Sequence, residues 1–185
     1  MQARAEVDDV AKFACVKDWL DARDNAVISA RMLLDRGLHK QVANRLLEPF
    51  AWHTVVITST SWANFFRQRC HPSAMPEMQA AAFAIRDAIE ASTPVRVPSA
   101  GWHTPYTGVT LGDDVPIEVR KRVSVARCAR VSYMTHDGKI DVEKDLELYD
   151  KLAEADVPHA SPFEHVATPC YDYPYENRGN LVGWR

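Results

Sequence analysis

The chain of 185 residues predicts an α/β fold of the α+β kind: a helix-rich single domain with one small sheet. Three observations predict it. Apolar residues recur at helical spacing through most of the chain. One short β-branched run, an irregular connection and a Tyr- and Pro-rich tail break that period. A hydrophobic content of 46% over this length supplies one sizeable core.

The elements follow in order. Asp8 or Asp9 caps a first long helix whose apolar positions include Val10, Phe13, Val16, Trp19 and Leu20. It continues through Val27, Met32 and Leu34 and ends at Gly37, a residue suited to a left-handed C-terminal position. A second helix is expected from His39 to Glu48, stopped by Pro49. Thr54-Val55-Val56-Ile57-Thr58 reads as a strand. Ser61 opens a helix through Trp62, Phe65 and Phe66, and Pro76 begins another that runs to about Ala91.

From Ser92 to Pro116 the composition turns to Pro94, Pro98, Gly101, Pro105, Gly108 and Gly112, a long irregular connection. Helices are expected from Pro116, with Val119, Val123 and Ala126, and from Asp141, with Leu146, Tyr149 and Leu152. The tail after His165 is expected to hold an extended segment. The organisation is thus one domain over 1–185, with a first block at 8–91, the connection at 92–116 and a second block at 117–185.

Composition narrows the function classes. A net charge of −3 argues against direct nucleic-acid binding, which calls for a cationic excess. Apolar runs such as Val55-Val56-Ile57 are far too short to cross a bilayer, and the polar start Met1–Glu6 is unlike a secretory leader. The expectation is a soluble, cytoplasmic protein. Cys15, Cys70, Cys128 and Cys170 lie far apart without a C-x-x-C pair, so reduced thiols are expected and a zinc knuckle is not.

Candidate chemistry concentrates in three places. In His159-Ala160-Ser161-Pro162-Phe163-Glu164-His165, Ser161 is an N-cap candidate, Pro162 falls at the first helical position and Glu164 completes a capping box. Free backbone donors at such a helix start would form an anion site beside His159; the plain alternative is a well-capped helix with a surface histidine. Arg67 and Arg69 bracket the end of the Asn64-Phe65-Phe66 helix, where a guanidinium either holds a carboxylate, phosphate or pyrimidine carbonyl edge or pairs with an acid such as Glu77. Arg120-Lys121-Arg122, Arg127 and Arg130 form a basic run. Arg127 and Arg130 share a helix face, open either to a ligand or to a neighbouring helix. His159, Glu164 and His165 lack a third ligand of clear spacing, so no metal site is assigned, and neither Cys70 nor Cys170 carries a nucleophile pattern.

Taken together, these clusters resemble the flavin-dependent thymidylate synthases. The first matching block is Ala43-Asn44-Arg45-Leu46-Leu47-Glu48-Pro49, the Thr-rich strand, and Asn64-Phe65-Phe66 to Arg69 with Ala74 and Glu77. The second, more specific, is Ala129-Arg130-Val131-Ser132-Tyr133, an acid-rich helix, and His159 to His165. Both occur in the permuted order of phage-encoded relatives. The family's Arg-His-Arg element with spaced serines is not found, and Met75 stands where a glutamine is expected, so the resemblance is to a fragment or reduced member.

The resemblance implies a nucleotide-binding α/β fold, a homotetramer with active sites between subunits, and methylation of dUMP to dTMP, in the host cytoplasm if phage-encoded. Methylenetetrahydrofolate would give the carbon, NADPH the hydride, and FAD would mediate. By the same resemblance Arg69 would hold the uracil ring and favour charge developing on it, and Arg45 would touch the nucleotide. His159, Ser161, Glu164 and Asn64 would line the flavin site. Two alternatives stand beside this reading: a non-catalytic nucleotide-binding or assembly module of the same fold, and another flavin-dependent activity on a pyrimidine.

Overall fold

The computed structural model describes residues 6–108, 111–112, 114–131, 141–157 and 159–185. Its secondary structure is dominated by helices, with one two-stranded sheet among the described residues. The chain divides into two compact units, Ala3–His53 and Thr54–Arg185.

In the first unit, α1 (Asp9–Asp35) begins where the Asp8 side chain accepts a hydrogen bond from the Ala11 amide at 2.9 Å. It ends in a paired closure: Leu38 N donates to Leu33 O and Gly37 N to Leu34 O, with Gly37 at φ +85°. That closure requires a left-handed residue, which glycine supplies without steric cost. The next helix is shorter than the sequence predicts. α2 covers only Lys40–Ala43, capped by His39, and the coil then tightens to 3₁₀ over Asn44–Phe50. Pro49 sits inside this 3₁₀ segment rather than ahead of a break, because its missing N–H and ring oppose an α-turn but leave i→i+3 bonding possible around it. Trp19 of α1 meets Phe50 edge to face, with ring centroids 5.3 Å apart, and Ala30 and Ala43 are buried.

The second unit opens with a correction. Thr54–Thr58 has no regular secondary structure and forms no ladder; a β-branched run becomes a strand only when another strand satisfies its backbone, and no strand among the described residues pairs with it. Thr60 N donates to Asn180 O at 3.0 Å, and Val182 N donates to the Thr60 hydroxyl at 2.8 Å. α3 (Trp62–Arg69) and α4 (Pro76–Ala91) follow as expected and pack together, Trp62 stacking on Phe66 and Ala82 lying fully buried.

The core of this unit is built on α5 (Ile117–Ala129), whose stretch Val123–Cys128 is buried throughout, packed against α6 (Val142–Ala153) and a 3₁₀ turn at Ser161–His165. The Asp141 side chain caps α6 by accepting from the Glu143 and Lys144 amides. The connection 92–116 is irregular, as its glycines and prolines predict, yet it is pinned at several points. Ser124 of α5 donates to Pro105 O at 2.8 Å, Thr168 to Gly101 O at 2.8 Å, and His103 pairs with Ala167 through both backbone bonds. The only sheet among the described residues lies in the tail, where β1 (Asn177–Arg178) and β2 (Leu181–Val182) form an antiparallel hairpin.

Candidate functional site

A cleft of about 530 Å³ opens in the second unit between three walls. The end of α5 contributes Cys128, Ala129 and Val131, and α6 contributes Leu152. The run Thr54–Val56 forms a second wall, and His159, Ala160, Ser161, Pro162 and His165 form a third. The last wall is held by His159 N donating to Leu152 O at 3.3 Å and by the turn at Ser161–His165, with Pro162 buried, packing on α5.

The turn at Ser161 differs from the helix start predicted there. Ala160 already has helical backbone angles (φ −66°, ψ −33°), no side chain caps the turn, and the segment ends at Val166 after five residues. A capping box needs an extended residue at the cap and a following run of free amides; Ala160 is not extended, Pro162 has no amide, and the turn is too short to aim a set of donors at an anion. The turn at Ser161 therefore offers no set of free amides for an anion. Ser161 and His159 stand instead as exposed polar groups on the cleft wall.

Glu164, on the same turn, faces elsewhere. It lines a second cleft of about 420 Å³ with Phe163, Arg178, Asn180, Trp184 and Arg185. Asn64 is occupied locally, its Oδ1 accepting from Arg67 Nη2 at 2.9 Å and from Gln68 Nε2 at 3.1 Å. Arg69 is exposed at the end of α3, and among the described residues it makes no ion pair, with Glu77 or otherwise. Arg45 is exposed on the 3₁₀ segment of the first unit. Of the residues singled out from sequence, then, His159 and Ser161 share one cleft; Asn64, Arg69, Glu164 and Arg45 are not on its walls.

The basic run resolves into helix packing. Arg127, 4% exposed, donates through Nε to Asp145 Oδ2 at 2.8 Å and through Nη1 to Tyr106 O at 2.7 Å. Arg130 closes on the other oxygen of the same carboxylate. Of the two partners the sequence left open for this face, the structure brings the neighbouring helix α6. Arg122 pairs with Asp150 and lies 5.0 Å from the Tyr149 ring centroid, while Lys121 pairs with Glu118 and sits 4.0 Å over Trp102.

Sequence reasoning missed Asp145 and the pairing of Thr58 with His165. Asp145 is fully buried, and the signal was its position on the same face of α6 as Tyr149 and Leu152, an acid in an apolar phase. Thr58 and His165 meet at 3.0 Å between Oγ1 and Nδ1 across 107 positions of sequence, a contact no local pattern encodes. Burial lowers the pKa of His165, partly opposed by Glu164, and also lowers that of His103, with His165 adding to the effect. Burial pushes the Cys128 thiol up to about 11, so a thiolate nucleophile is not formed on this wall near neutral pH. Among the described residues no group of three or more His, Cys, Asp or Glu side chains could hold a metal ion. Ser132 and Tyr133 of the second sequence block lie outside the described residues.

The donor set of the cleft suits the ring end of the flavin that the resemblance implies: an imidazole and a hydroxyl at its polar edge, against the apolar faces of Val55, Val56, Val131 and Leu152. No helix in the described residues is long and apolar enough to cross a membrane. Comparison with known proteins returns no match: no protein-family model, no curated protein and no solved structure matches the chain.

Proposed function

We propose that this chain is a flavin-dependent thymidylate synthase-type protein acting in the FAD-dependent methylation of dUMP to dTMP, with methylenetetrahydrofolate as carbon donor and NADPH as hydride source. One observation carries the reading. The cleft is walled by both sequence blocks on which the resemblance rests, the Thr54–Val56 run of the first and the Ala129 to Val131 and His159 to Ser161 segments of the second. Segments this distant in sequence meet at one ligand-sized cavity.

In this reading His159 and Ser161 hold the flavin, which when bound supplies the redox chemistry. Arg69, a fixed cation without an ion-pair partner among the described residues, holds the uracil and favours negative charge developing on its ring. Arg45 touches the nucleotide, and Asn64 and Glu164 reach the flavin through the assembled tetramer.

The test is a titration of FAD absorbance and fluorescence with the purified chain, with and without dUMP, followed by product analysis for dTMP. Flavin binding that dUMP perturbs, lost for dUMP in Arg69→Ala, is the expected result. Unaltered dUMP response in that variant rejects the role of Arg69, and no flavin uptake well above micromolar protein rejects the reading. A second reading, an assembly module without catalysis, is favoured by one observation: α1 leaves Val10 82% and Phe13 76% exposed, an apolar surface of the kind partner subunits cover. A tetrameric but colourless protein after incubation with FAD selects it.

A further inference from the structure

Beside His159 and Ser161 the cleft contains His165, to which the sequence blocks give no role. Three features of its surroundings define what it can recognise. First, none of the described lining residues is an Asp, Glu, Lys or Arg. Among the described lining residues a phosphate would meet no fixed cation to offset its desolvation. Second, apolar side chains form most of the walls; His159, Ser161 and His165 lie on one wall and Thr54 on another, a layout that fits a flat ring with a hydrogen-bonding edge.

Third, the His165 ring is held. Its Nδ1 lies 3.0 Å from Thr58 Oγ1, which leaves Nε2 as the ring nitrogen for a ligand. Thr58 is itself fixed, because the next two residues are tied to the C-terminal hairpin: the Ser59 hydroxyl donates to Asn180 O at 3.2 Å, and Thr60 accepts from Val182 N. Burial favours the uncharged imidazole, which suits a neutral partner better than an anion.

We propose that His165, positioned by Thr58, is the ring-reading residue of a site for an uncharged planar heteroaromatic ring with an imide or amide edge, and that the phosphates of any nucleotide bound there are held outside this cleft. The proposal rests on the cleft being the ligand site proposed above, and it adds the residue and the part of the ligand that the cleft takes.

The experiment titrates the full chain with riboflavin, which carries the ring without phosphate, and with FAD, with inorganic pyrophosphate as competitor. Riboflavin and FAD are expected to bind, pyrophosphate to leave riboflavin in place, and His165→Ala to weaken both flavins by about tenfold, the loss of one hydrogen bond. His165→Gln serves as the second variant if circular dichroism shows that the alanine variant is unfolded. Thr58→Val should weaken binding and convert the single imidazole tautomer, seen in the ¹⁵N shifts of His165, into a mixture; Thr58→Ser should restore both.

Binding of FAD but not riboflavin, displacement of riboflavin by pyrophosphate, or full affinity in both His165 variants overturns the inference while the thymidylate reading stands. If no flavin binds, that reading falls, and uracil and a pterin are titrated in turn. Uptake of either that depends on His165 sustains the ring-reading role, and uptake of neither overturns it.

Discussion

Removing the Asp145 carboxylate should be among the most damaging single changes in the Thr54–Arg185 unit. Asp145 is fully buried between two guanidinium groups. The two are not equivalent. Arg130 is 33% exposed and can turn toward water once its partner is gone, so its share of the loss is small. Arg127 is 4% exposed and also tethered to Tyr106 O, so in Asp145→Ala it stays inside, with this carboxylate lost and a new cavity beside it. Breaking a buried ion pair from one side costs about 3–5 kcal/mol. For a chain of this size that corresponds to a drop of roughly 6–20 °C in the unfolding midpoint of the unit. Because the chain has two compact units, the change should be followed where it acts, by hydrogen exchange of the α5 and α6 amides alongside urea denaturation. Asp145→Asn, which keeps a carbonyl acceptor, should be the milder variant. A loss below about 1 kcal/mol in Asp145→Ala, with α5 protection unchanged, would refute the claim that this carboxylate holds the two helices together.

Three further outcomes are expected. Gly183 lies at φ +75°, and a Cβ there would meet Pro174 O at 2.6 Å, so Gly183→Ala should destabilise the C-terminal hairpin by at least ~1–2 kcal/mol; an unchanged thermal midpoint and intact exchange protection at Cys170 and Arg185 would contradict this. His165 and His103 both have pKa values lowered by burial, so below about pH 6.5 the unfolded chain binds more protons than the folded one. Stability should therefore be flat above that pH, fall as pH drops through it, and level off below the folded-state values; urea midpoints that do not change between pH 7 and pH 5 in the wild type, or change equally in a His103→Asn/His165→Asn double variant, would remove the two histidines from the explanation. Finally, the Cys128 thiol is buried and stays protonated while Cys15 is exposed, so iodoacetamide at mild alkaline pH should label Cys15 in the native protein and leave Cys128 to react only after unfolding, as peptide mass spectrometry would show.

Much of the helical framework was legible because its signals are local. Asp8 and Asp141 cap α1 and α6, Gly37 closes α1 in a left-handed turn, and Pro76 and Pro116 mark the starts of α4 and α5, all within a few residues of the feature they control. The failures are equally instructive. Thr54–Thr58 has strand composition, but a strand requires a partner, and no strand among the described residues pairs with it. The turn at Ser161 has the letters of a capping box, but Ala160 enters the helical region one residue early, and the cap cannot form. Of the candidate site, the sequence singled out His159 and Ser161, which do meet at one cleft, and it also pointed to Glu164, which faces another.

The sequence by itself determined where the chain coils, where it turns, and which segments carry hydrogen-bonding side chains, because capping, helical periodicity and proline geometry act over three or four residues. Only the tertiary structure decided what those side chains face. It turned the Arg127 and Arg130 face onto Asp145, and it brought Thr58 to His165 across 107 positions. Burial of a charge demands a partner wherever the fold can supply one, and that partner is chosen by helix packing rather than by any neighbour in sequence.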